Sequence, residues 1–110
     1  MQRLKPGLSA TLLTTGESAE ELATLQNNYY DRFAPTTVEQ RFLVDNLVHN
    51  EWSLRRYRRL ERQPLSEQVR KMLAKRIRSA EKAHKSTLKE LQKIQKQALE
   101  AMQPVTRTVQ

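Results

Sequence analysis

Prolines at positions 35, 64 and 104 divide this 110-residue chain into stretches free of any other strong breaker, because the two glycines, Gly7 and Gly16, both lie upstream. A proline inside a helix removes a backbone donor and clashes with the preceding turn, so each of these positions bounds a helix. Between them Ala, Leu, Glu, Lys, Gln and Arg dominate, all strong helix formers. The expected fold class is therefore all-α, with three antiparallel helices over about residues 18–33, 37–63 and 65–102. Ser18 and Glu21 stand at capping-box spacing, Thr36 or Thr37 precedes Glu39 or Gln40 in the same way, and Ser66 follows Pro64. Short connections at 34–36 and 63–65 make successive helices antiparallel neighbours. Residues 1–16, with Pro6, Gly7 and Gly16, read as an irregular amino-terminal arm to which Leu4, Leu8, Leu12 and Leu13 lend apolar contacts. Residues 17–103 read as a single helical domain and 104–110 as a frayed tail.

The three helices are unequal, about 16, 27 and 38 residues, and at ~1.5 Å per residue the third extends about 57 Å. Helix one can then accompany helix two only to about residue 53, so a two-helix tip should project beyond it. On helix two, Leu43, Leu47 and Leu54 share one face while Val44, Val48 and Trp52 share another. Two apolar faces mean two packing neighbours. Past Trp52 the second face continues as Arg55, Arg58, Arg59 and Arg62, so the apolar stripe turns cationic where helix one should run out. On helix three, Leu73, Ile77, Ala80, His84, Leu88, Leu91, Ala98 and Met102 gather on one side. Opposite them lie Lys71, Lys75, Arg78, Lys82, Lys85, Lys89, Lys93 and Lys96, a row about 37 Å long. Its length compares with one turn of duplex DNA, about 34–36 Å.

Charge sharpens the point. The chain carries twenty basic and twelve acidic residues, a formal net charge of +8. The stretch from Arg55 to Arg78 alone holds ten Lys or Arg against Glu61 and Glu67, so the remainder of the chain sums to zero. A solvated helix face ordinarily intersperses signs. Acid-first i,i+4 pairs are available at Glu51–Arg55, Glu67–Lys71 and Glu81–Lys85, each contributing about 0.2–0.5 kcal/mol, but they neutralise few of the cations. With a sequence pI near 10.2, the chain favours polyanionic partners, nucleic acid first. Arginine's planar fork grips phosphate at two points. The candidate contact residues are Arg55, Arg56, Arg58, Arg59 and Arg62 at the tip, with Lys71, Lys75, Arg78, Lys82, Lys85 and Lys89 along helix three. No recognition-helix arrangement of base-reading side chains is present, so contact should be to phosphate and weakly sequence-selective. A membrane-surface helix would need bulky apolar residues free to enter lipid, whereas here that face is required for packing. Tyr57 could stack on a base, although a tyrosine beside a helix seam is more often structural, and Trp52 reads as a packing anchor.

Other classes of function find little support. Without cysteine there is no disulfide framework, thiolate metal site or cysteine nucleophile. His49 and His84, the only histidines, fall on different helices, and neither belongs to a metal-binding motif. Asp45 and His49 share a helix face, the one arrangement with acid–base or metal potential, while His84 sits in an apolar seam. No glycine-rich phosphate loop occurs. With 37% hydrophobic and 5% aromatic residues, a water-excluded pocket is hard to build. The chain is expected to be non-enzymatic, with no cofactor, metal or small-molecule substrate. No apolar run approaches the ~18 residues of a spanning helix, and MQRLKPGLSATLL lacks the apolar core of a signal peptide, so a cytoplasmic location is expected. Apolar residues on helix three beyond about residue 91 (Leu91, Ile94, Ala98, Met102) suggest a homodimer or larger assembly.

Two stretches carry a resemblance. KPGLSA at 5–10, followed by LLTTGESAEELATL, is similar to a "K-H-G-L-S-A … L-P-G-E-D-P-x-E-F" lead-in. EQRFLVDNLVHNEWSLRRYRRLE at 39–61 resembles "E-x-x-L-V-x-x-I-x-x-x-x-W-R-L-R-R-x-x-R-L-E". Both patterns belong to an uncharacterised family of small helical bacterial proteins, and the likeness covers roughly residues 5–61. Trp52, Leu54, Arg55, Arg56, Arg59, Leu60 and Glu61 carry it; Pro6 replaces His and Ser53 replaces Arg. In longer members a segment rich in G-P-x-T-P-x-G-K looks like a modular DNA-binding element, and no such segment occurs in these 110 residues. The resemblance implies a helical fold and a DNA-related role, and assigns no chemistry. The competing expectation is a structural or adaptor coiled coil that oligomerises or meets an acidic protein.

Overall fold

The structure, a computed structural model, describes residues 16–102; the expected arm and tail lie outside the described residues except at Gly16. Three helices follow in order: α1 (Ala19–Phe33), α2 (Val38–Glu61) and α3 (Glu67–Met102). No strand occurs among the described residues. The chain is all-α and antiparallel as expected, with every helix boundary within two residues of its expected place.

Local chemistry sets each boundary. Ser18 caps α1 by accepting from the Glu21 amide at 3.2 Å, and Thr37 caps α2 by accepting from the Gln40 amide at 3.0 Å. At the start of α3, Ser66 accepts from the Val69 amide at 3.2 Å. Helix α1 ends at Ala34, whose left-handed backbone (φ 43°) turns its amide onto the Tyr30 carbonyl just before Pro35. Helix α2 ends in a tightened turn, with the Arg62 and Gln63 amides bonded to the Arg59 and Leu60 carbonyls.

The core is narrow. Leu22, Leu25 and Tyr29 of α1 meet Val44, Leu47, Val48 and Trp52 of α2, and Leu91 of α3 closes the cluster. Both apolar faces of α2 are covered, as its two-neighbour pattern requires, with Leu43 half-buried and Val44, Leu47, Val48, Trp52 and Leu54 buried. Helix α3 buries only Leu73 and Leu91 of its 36 residues. Leu91, expected to overhang, is instead core. Gln95 shows why, because its side-chain amide reaches the Phe33 carbonyl (2.7 Å) and Gln40 (3.1 Å), so the α1–α2 corner covers α3 that far. The overhang shrinks to the last two turns, where Leu99 and Met102 are exposed.

Polar bonds tie the helices where apolar area is scarce. The Tyr29 hydroxyl donates to Glu51 at 2.5 Å and lies 2.8 Å from His84 Nε2, joining all three helices. Because its single proton is committed to Glu51, the bond to His84 requires the imidazole to donate. Tyr30 donates to Asp45 at 2.7 Å. Burial, reinforced by these carboxylate acceptors, pushes both tyrosine hydroxyls well above their ordinary pKa. His84 is thus a seam histidine, and Asp45 is engaged by Tyr30 rather than by His49.

Candidate nucleic-acid interface

Of the five tip arginines only Arg55 had an expected carboxylate partner, Glu51. The structure engages four of the five, adding partners for Arg56, Arg58 and Arg59. Glu17, directly before the α1 cap, lies between Trp52, Arg56 and Arg59 with its side chain only 5% exposed. Arg56 grips it with a two-point fork, Nε to Oε2 and Nη2 to Oε1, both at 2.9 Å. Arg59 adds a third charged bond to Oε2, and the Trp52 indole donates to Oε1 at 3.2 Å. Hydrogen bonding to Glu17 pushes the Arg56 guanidinium above its ordinary pKa despite partial burial. Arg55 meets Glu51 at 2.9 Å, one turn earlier on α2, and Arg58 crosses to Glu81 on α3 at 2.8 Å.

The cause is register. Packing α1 antiparallel to α2 from the corner at 34–37 carries the residues just before α1 up to the level of Arg56, about one turn past the expected limit. Glu81, expected to support Lys85 within α3, instead faces α2 and takes Arg58. Of the expected intrahelical pairs, Glu51–Arg55 and a looser Glu67–Lys71 contact at 3.9 Å are present. Arg62, in the turn after α2, meets no carboxylate within 4 Å among the described residues.

These engagements differ in strength. Arg56, 27% exposed on a buried carboxylate, is a structural cation. Arg58 is 56% exposed on a half-exposed partner, a surface pair contributing about 0–1 kcal/mol, and most of its five N–H donors stay available. Arg55 and Arg59 lie between these extremes.

The α3 row contrasts with the tip. Lys71, Lys75, Arg78, Lys82, Lys85, Lys89, Lys93 and Lys96 are all exposed. Apart from Lys71, none lies within 4 Å of a carboxylate among the described residues. At ~100° per residue the eight fall within an arc of about 80° over 25 residues of advance, a nearly straight stripe facing away from α2. No acid stands inside that arc between them, since Glu67 and Glu100 mark its two ends.

Two shallow clefts of about 200 and 220 Å³ share Glu51 and Arg55, one beside Tyr29 and one beside His84, and both are open to solvent. No group of three or more His, Cys, Asp or Glu that could hold a metal ion occurs among the described residues. No helix among them is long and apolar enough to cross a membrane. Sequence reading missed Glu17 and the Tyr29–Glu51–His84 link. Glu17 was legible, because reflecting α1 about the 34–37 corner sets residue 17 opposite the middle fifties. Comparison with protein families, with curated proteins and with solved structures finds no match.

Proposed function

We propose that this chain is a non-enzymatic nucleic-acid-binding protein that contacts the phosphate backbone, of DNA foremost, through the solvent face of α3. The observation that carries this reading is the unpaired row Lys75, Arg78, Lys82, Lys85, Lys89, Lys93 and Lys96, a rigid line of cations with neither acids among them nor a structural duty. Maintaining like charges at i,i+4 is mildly unfavourable for a helix. A polyanion converts that repulsion into attraction, and counter-ion release supplies the driving force. Arg62 and the exposed donors of Arg55, Arg58 and Arg59 extend the surface at the tip; Arg56 serves the fold. A cytoplasmic setting and the likeness to small helical bacterial proteins belong to the same proposal.

The test is binding to fluorescent DNA across a salt series, comparing the native chain with Lys82/Lys85/Lys89→Gln and with Arg56→Gln. Glutamine retains helix propensity. Three lost phosphate contacts should flatten the slope of log K against log[salt] by up to about 2.7, while Arg56→Gln, in molecules that remain folded, should leave it unchanged. Absence of binding at 50 mM salt would sink the reading. A second reading, a structural or adaptor protein that self-associates, rests on Leu99 and on Met102, 81% exposed at the end of α3. Sedimentation of the native chain beside Leu99/Met102→Gln tests it, since a dimer dispersed by the substitution is the outcome it requires.

A further inference from the structure

The stripe on α3 is narrow as well as straight, and its borders carry no cation. Gln68, Ser79, Ser86 and Gln97 line one side, and Ala74, Glu81 and Gln92 the other. A helix seated in the major groove, about 12 Å wide, needs cations on both flanks to meet the two phosphate rails. This helix cannot do so. Its cations can only be laid across phosphates from outside the grooves, with hydroxyl and amide donors beside them.

Aromatic placement points the same way. Single strands are held by a cationic groove together with aromatic faces on which bases stack, each stack adding about 1–3 kcal/mol. No aromatic stands on the stripe. Trp52 and Tyr29 are core residues, and Phe42 and Tyr57 belong to α2, which packs on the opposite side of α3. A single strand would also have to be straightened along a rigid row about 37 Å long, whereas a duplex is already ordered. The duplex further presents one charge per 1.7 Å of axis.

Resting on the phosphate-binding reading, we propose that the α3 stripe selects double-stranded over single-stranded nucleic acid and binds it without regard to base sequence. The salt dependence gives the magnitude. With seven contacts, slopes of about −6 for duplex and −5 for single strand follow from −0.9 and −0.7 per neutralised phosphate. Equal affinities at 1 M salt would then diverge about 60-fold by 50 mM, and nearly tenfold with half the contacts.

The experiment measures native protein at 50 mM and higher salt against a 20-base-pair DNA duplex, each of its separated strands, and a second duplex of permuted sequence. Tighter binding of the duplex by threefold or more, about 60-fold if all seven cations meet phosphate, with the permuted duplex within fivefold, is the expected result. A duplex preference below threefold, or a permuted duplex weaker by more than fivefold, overturns the inference while leaving phosphate binding intact. Failure to bind any of the four at 50 mM salt removes the underlying reading as well.

Discussion

Replacing Glu17 tests the central correction the structure makes to the charge picture. Its carboxylate, 5% exposed, receives the Arg56 fork, Arg59 and the Trp52 indole. Glu17→Gln removes the charge and replaces one acceptor oxygen by a donor, so some cationic N–H groups or the buried indole N–H lose their partner. Leaving a buried donor unsatisfied costs about 1–3 kcal/mol, and breaking a fully buried ion pair about 3–5 kcal/mol. Arg56 and Arg59 retain access to water, which places the expected loss at about 2–4 kcal/mol. For a domain of this size that lowers Tm by about 10–20 °C. Urea unfolding followed by fluorescence of Trp52, the sole tryptophan, reads the change at the bond itself. Glu20→Gln is the control, because Glu20 is exposed in the first turn of α1 and removes the same formal charge for about 0.3–1 kcal/mol. A double-mutant cycle of Glu17→Gln with Arg56→Ala should give a coupling above about 1 kcal/mol. Equal losses for Glu17→Gln and Glu20→Gln, together with no coupling to Arg56, would refute the reasoning. In molecules that stay folded, releasing Arg59 should also tighten DNA binding at low salt, the opposite of what neutralising α3 does.

Two further outcomes follow from the packing. Tyr29 and Tyr30 have hydroxyl pKa values raised in the folded state from 10.0, so their stabilising contribution is complete below pH 10 and is lost as pH rises above it. Each should remove up to about 1.4 kcal/mol per pH unit, visible as alkaline unfolding that Tyr29→Phe or Tyr30→Phe makes shallower. Leu91→Ala should cost about 2–5 kcal/mol in the same urea assay while Met102→Ala changes stability by less than about 0.5 kcal/mol, and similar values for the two would contradict the placement of Leu91 in the core.

The fold class, the helix count and the caps at Ser18 and Thr37 were legible because they depend on interactions within a few residues: proline's missing donor, side-chain oxygens three positions from an amide, and apolar spacing. The two apolar faces of α2 were legible for the same reason. Glu81 was not assigned correctly, since an i,i+4 neighbour at Lys85 and a cross-helix neighbour at Arg58 differ only once two helices are set in register. Leu91 was misplaced by the same uncertainty, because a shift of about one turn decides whether a residue overhangs or is covered.

The amino-acid sequence by itself determined three helices, a net positive chain and an acid-free cationic row on the third helix, all properties of local backbone preference and residue order. Only the tertiary structure decided which cations are committed to the fold. Glu17 and Arg56 are 39 residues apart in the chain and Arg58 and Glu81 are 23 apart, and charges at such separations meet or miss according to helix register alone. That is why the tip, the densest arginine cluster in the chain, is largely neutralised, while the lysines facing away from every other helix are left to solvent.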